Sequence, residues 1–95
     1  MVNKQKQVWS VYLVKTAQGQ IYTGISTDVE RRFQEHQAGG KLAAKFFRGK
    51  GPLSLEFFSK VGDRSMASRL EYRIKKLSAT AKAEIISGEL LIAEL

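Results

Sequence analysis

Two runs rich in β-branched and aromatic residues, Val8 to Lys15 and Gln20 to Ile25, flank the turn-forming stretch Thr16-Ala17-Gln18-Gly19. The pattern predicts a β-hairpin. Its loop length fixes which side chains share a face, because side chains alternate along a strand. A three-residue loop with Gly19 left-handed in a bulge after a type I turn pairs Val14 with Tyr22. Tyr12 and Tyr22 then stand on one face as diagonal neighbours, about 7 Å apart at the backbone. A two- or four-residue loop would place them on opposite faces.

The period then changes. Thr27 is expected to open a helix, with Glu30 as its capping-box partner. With Val29 at 0° on a wheel of about 100° per residue, Phe33 falls near ~40°, His36 near ~−20° and Arg32 near ~−60°. Arg32 therefore borders the apolar stripe, whereas Arg31, Gln34 and Glu35 are expected to point away. Gly39-Gly40 ends this helix.

Lys41 to Lys50 is basic with two phenylalanines and reads as a short helix or ordered loop. After Gly51-Pro52, the run Leu53 to Phe58 predicts a third strand. Asp63 is placed to cap a long helix with the stripe Met66, Ala67, Leu70, Ile74 and Leu77, and Glu71 lies at the border of that stripe. Ser78 caps a last helix that Gly88 stops. The apolar tail Leu90-Leu91-Ile92-Ala93 either docks on the body or pairs with another copy. The fold expected is α+β, a three-stranded antiparallel sheet flanked by helices, in a single domain spanning residues 1–95 with its core at about residues 8–87.

Composition narrows the function. Sixteen basic against nine acidic residues give a net charge of +7, a surplus that favours a polyanionic partner, above all nucleic acid. With no cysteine and one histidine, disulfides, thiolate metal sites and multi-imidazole zinc sites are excluded. The polar start from Met1 to Gln7 lacks the apolar stretch of a signal peptide, and no run is long enough to span a bilayer, so a cytoplasmic location is expected.

Phosphodiester cleavage calls for an activated water, a positive group facing the phosphorus and usually a divalent metal on a carboxylate. Tyr12 and Tyr22 offer phenols, Arg32 offers a planar fork suited to phosphate oxygens, and Glu71 is the best-placed carboxylate for a magnesium-type ion. Each has a bland use too. The tyrosines can be a cross-strand aromatic pair, and Glu71 can simply pair with Lys75 at i+4.

As an ordered set, Val11-Tyr12-Leu13, Tyr22-Thr23-Gly24, Arg32, His36 and Glu71 resemble the GIY-YIG nuclease superfamily over about Trp9 to Ile86. The chain looks closest to a small single-domain bacterial branch. The resemblance implies hydrolysis of DNA by metal-assisted water, with Mg²⁺ or Mn²⁺ on Glu71 and a 5′-phosphate product. It assigns water activation to Tyr12 or Tyr22, charge stabilisation to Arg32 and assistance to His36. Gly24 is expected to allow close approach of phosphate. Lys41, Lys45, Arg48 and Lys50 are expected to track the backbone, with Phe46 or Phe47 inside the protein. An asparagine that many members carry beyond the glutamate has no counterpart, since the one asparagine is Asn3. That departure keeps a rival open: a nucleic-acid-binding module that has kept the fold and cuts little. A protein-interaction adaptor using the C-terminal tail is the third expectation.

Overall fold

A computed structural model describes residues 7–95, so the polar start up to Lys6, Asn3 included, lies outside the described residues. Strands β1 (Trp9–Lys15) and β2 (Ile21–Ser26) form the hairpin, and β3 (Ser54–Gly62) pairs on the other side of β1, giving an antiparallel sheet of order β2-β1-β3. The expected register holds. Val14 faces Tyr22 across the strands. Gly19 sits at φ +88°, its N–H donates to the Thr16 carbonyl at 2.9 Å, and the Thr16 N–H donates to the Gln20 carbonyl at 2.8 Å. Three residues therefore close the loop, with glycine where positive φ is required.

Helix α1 (Val29–Ala38) starts later than the sequence pattern indicated. Its cap is Asp28, not Thr27: the Asp28 carboxylate accepts from the Arg31 N–H at 3.1 Å, while Ser26 Oγ accepts from the Asp28 N–H at 2.9 Å. A carboxylate one residue on captures the same turn and adds charge complementarity to the helix N-terminus. Helices α2 (Arg64–Lys75) and α3 (Ala79–Ser87) have the expected caps, Asp63 and Ser78, and Gly88 closes α3 at φ +90°. Strand β3 runs four residues beyond Phe58. As an edge strand it tolerates the polar Ser59 and Lys60, which mask its continuation in the sequence.

The sheet separates two cores. On one face Val11 and Leu13 pack with Leu70 and Ile74 of α2, Ile85 of α3, and Leu90, Ile92 and Leu95 of the tail. The tail thus docks on the body. Met66 departs from the expected stripe and is exposed, lying over the bare backbone of Gly62. On the other face Tyr12 and Val14 pack with Phe33 of α1 and with Phe47 of a 3₁₀ turn at Lys45–Phe47. Among the described residues no helix is long and apolar enough to cross a membrane.

Candidate active site

The second face is where the expected residues gather. Because Tyr12 lies opposite Gly24 and Val14 opposite Tyr22, both phenol rings rise from the same side of the hairpin, 6.3 Å apart between centroids. Helix α1 brings His36 against both: its ring lies 6.1 Å from Tyr12 and 5.6 Å from Tyr22, closing a triangle of rings. Tyr12 is 1 % exposed and His36 2 %. Tyr22 is only half-buried and is the more open of the two phenols.

Hydrogen bonding fixes the tautomer of His36. The Ala44 backbone N–H donates to Nδ1 at 3.1 Å, so Nδ1 must keep its lone pair. The ring proton therefore sits on Nε2, which donates to the Tyr12 hydroxyl oxygen at 2.9 Å. Tyr12 accepts in that bond, and its own O–H proton is left to point elsewhere. Burial, and secondly the Arg32 charge, lower the His36 pKa to about 4. Burial, then Tyr22, push the Tyr12 phenol well above its ordinary value, and Arg32 opposes them. Tyr12 thus stays protonated, held by the neutral His36 ring through that hydrogen bond.

His36 also makes stability depend on pH. Its folded pKa of about 4 lies below the ordinary 6.5, so between these values the unfolded chain binds the proton and the folded one does not. Stability contributed by the neutral ring is complete above pH 6.5 and falls as pH drops toward 4, by on the order of 3 kcal/mol. Chemical denaturation of wild type across this window should show that loss, and His36→Gln should flatten it.

Arg32 reaches the cluster from α1. One Nη nitrogen donates to both the Glu35 carboxylate at 2.9 Å and the Leu42 carbonyl at 2.6 Å. The remaining N–H groups of the fork are left for the Tyr12 side, where the guanidinium lowers the phenol pKa. Glu35, expected to point away, instead clasps Arg32. The i,i+3 spacing makes them neighbours although Glu35 lies off the apolar stripe.

Glu71 comes from α2, which packs on the opposite face of the sheet. It is half-buried, its carboxylate pairs with Lys75 at 3.4 Å, and its charge weakly raises the Tyr12 pKa. The structure thus brings Tyr12, Tyr22, Arg32 and His36 into one cluster and sets Glu71 at its margin. Among the described residues no three His, Cys, Asp or Glu side chains assemble into a cage for a metal ion. One hard oxygen donor of this kind fits Mg²⁺ or Mn²⁺ bound through a carboxylate, water and substrate phosphate.

Gly24 has a different use from the one expected. A Cβ there would lie 2.4 Å from the Tyr12 hydroxyl oxygen and 2.5 Å from Cζ. Its bareness makes room for the phenol ring, and the residue is buried rather than open to phosphate. Phe47 is the inward phenylalanine, 4.6 Å from both Tyr22 and His36 between centroids. Phe46 is half-buried under Lys50, whose Nζ lies 4.1 Å from the ring centroid. Lys41, Lys45 and Arg48 are exposed along the same loop, and Lys45 and Arg48 line a cavity of about 210 Å³ whose wall includes His36 and Phe47. The residues that sequence reasoning missed are Glu35 and the backbone groups of Leu42 and Ala44, which hold Arg32 and His36 from a loop with no regular period.

Comparison with known proteins identifies the domain. Residues 8–84 match the GIY-YIG catalytic domain. The chain is 51 % identical over 87 residues to the UPF0213 protein YhbQ of Escherichia coli O1:K1, covering 92 % of this chain and 85 % of that one. It is equally similar to YhbQ of Shigella boydii serotype 18, with the same coverage. The solution NMR structure of the UPF0213 protein BH0048 from Bacillus halodurans superposes with a TM-score of 0.53 at 36 % identity, over 84 % of this chain and 83 % of that chain. A tyrosine pair over a bare glycine, an arginine fork beside it and a matching domain over most of the sequence lead to one conclusion: this chain belongs to the GIY-YIG family, in its small UPF0213 branch.

Proposed function

We propose that the protein is a metal-dependent endonuclease that hydrolyses phosphodiester bonds in DNA, acting in DNA repair or processing in the cytoplasm. The observation that carries this reading is the buried Tyr12–His36 hydrogen bond beside a half-exposed arginine fork. A core does not need a histidine held in one tautomer against a phenol, with a guanidinium at its edge.

The roles follow from exposure and protonation. Tyr22, the more open phenol, contacts the attacking water and orients it. Tyr12 holds its O–H proton and directs it into the site, steadied by His36. Arg32 places its free N–H groups on the phosphoryl oxygens as negative charge builds there. Glu71 would hold Mg²⁺ or Mn²⁺ once its bond to the exposed Lys75 is given up, and a bound cation of that class supplies charge neutralisation at the phosphate. Lys41, Lys45, Arg48 and Lys50 carry the flanking phosphates past Phe46.

The rival reading, a binding module with little cleavage, draws on the lone carboxylate at the cluster and its pairing with Lys75. A cleavage assay on single-stranded, duplex and branched DNA, with RNA as a comparison arm, separates the two. Nicking that needs Mg²⁺ or Mn²⁺ and is lost in Glu71→Ala supports the enzyme. Equal nicking by wild type and Glu71→Ala would mean a contaminant. Salt-sensitive binding with no cleavage would favour the module.

A further inference from the structure

The outer face of α2 carries a pattern that none of the roles above uses. Ser65, Ser68, Arg69, Tyr72 and Lys76 recur at helical spacing on one side and are all exposed, spanning about 16 Å at ~1.5 Å per residue. Tyr72 is 61 % exposed, with Lys76 Nζ 4.4 Å from its ring centroid. Ser68, Arg69, Tyr72 and Arg73 line a shallow depression.

A helix face that merely solubilises the fold mixes charge signs and gains from i,i+4 pairs. This one does not. The single acid of α2 is Glu71, already paired with Lys75, and among the described residues Arg69 and Lys76 have no carboxylate partner. The helix thus bears unneutralised positive charge interleaved with three hydroxyl donors, a combination that complements a row of phosphates. Arginine, lysine, serine and tyrosine are the side chains that bind nucleic-acid backbone without reading sequence. Position is compatible with the same partner: α2 packs on one face of the sheet and the basic Lys41–Lys50 loop lies with Phe47 on the other, so positive groups stand on both sides of the hairpin.

We infer that the outer face of α2, through Arg69, Tyr72 and Lys76, is a second backbone-binding surface that grips the phosphates of duplex DNA on the far side of the scissile bond. The inference rests on the nuclease reading but is tested by binding alone. Affinity for a fluorescently labelled duplex would be measured in EDTA over a range of salt, for wild type, for Arg69→Ala/Lys76→Ala and for Lys60→Ala/Lys82→Ala. The last pair removes equal charge from β3 and α3. Each lost phosphate contact lowers the slope of log affinity against log salt by about 0.9, so the α2 variant should lose about 1.8 and the control variant almost nothing. Tyr72→Phe, which deletes one hydroxyl and keeps the ring, should weaken binding without changing the slope.

Matching slopes for the two double variants would overturn the surface, showing only a diffuse effect of net charge. A slope unchanged from wild type in the α2 variant would overturn it while leaving the nuclease reading intact. A wild type that binds no duplex at any salt would overturn both. Equal thermal midpoints for all variants confirm that folding is not what is being read.

Discussion

Arg32→Ala should lower the single-turnover cleavage rate by about 10²- to 10³-fold while leaving the fold in place. The size follows from where the charge acts. A fork already fixed by Glu35 at 2.9 Å and by the Leu42 carbonyl at 2.6 Å needs no reorganisation when negative charge develops on the phosphate. The structural cost is small by comparison. The pair with Glu35 is a partly exposed i,i+3 contact worth at most about 0.5 kcal/mol, and the bond to Leu42 adds about 1 kcal/mol. Arg32→Lys keeps the charge but loses the planar fork, so it should restore only part of the rate. A rate loss of less than threefold in Arg32→Ala would remove the guanidinium from the mechanism.

Gly24→Ala should be the most damaging single methyl group in the molecule. The added Cβ meets Tyr12 atoms at 2.4 and 2.5 Å, distances that real contacts do not tolerate. Neither side can yield freely. Gly24 is paired across the strands with Tyr12 itself, and the hydroxyl that the Cβ would strike is the atom already held by His36. Overpacking of this kind costs about 1–3 kcal/mol, which in a domain of this size lowers the thermal midpoint on the order of 10 °C. Cleavage should fall with it, because a displaced Tyr12 loses the bond from His36 Nε2 that steadies it. The effect should be coupled: in a Tyr12→Leu background, where the ring is gone, Gly24→Ala should cost far less. Thermal unfolding of the four proteins in that cycle checks this, and additive losses would break the proposed link between glycine and ring.

The sequence carried the parts of this site that depend on local periodicity. Gly19 set the loop length, the loop set the register, and the register put Tyr12 and Tyr22 on one face. The helical wheel singled out Arg32 and His36 over Arg31 by angle alone. Caps at Asp63, Ser78 and Gly88 marked the later helices because side-chain capping is a local event. What stayed hidden depends on tertiary contact. Gly24 looked like an opening for phosphate, and only the direction of the Tyr12 ring across the hairpin shows why no side chain fits there. The His36 tautomer is set by an amide eight residues away, in a loop without a repeat. Glu35 lay on the wrong side of the wheel for the core but within reach of its i−3 neighbour.

A Mn²⁺ titration of the isotopically labelled protein, with a short duplex bound, asks most directly whether an aromatic pair, a cation and a lone acid work as one centre. Paramagnetic broadening should begin at Glu71, extend to Tyr22 and Arg32, and vanish in Glu71→Ala. Broadening that survives this substitution, or that centres on another carboxylate, would contradict the assignment of the metal to that margin of the site.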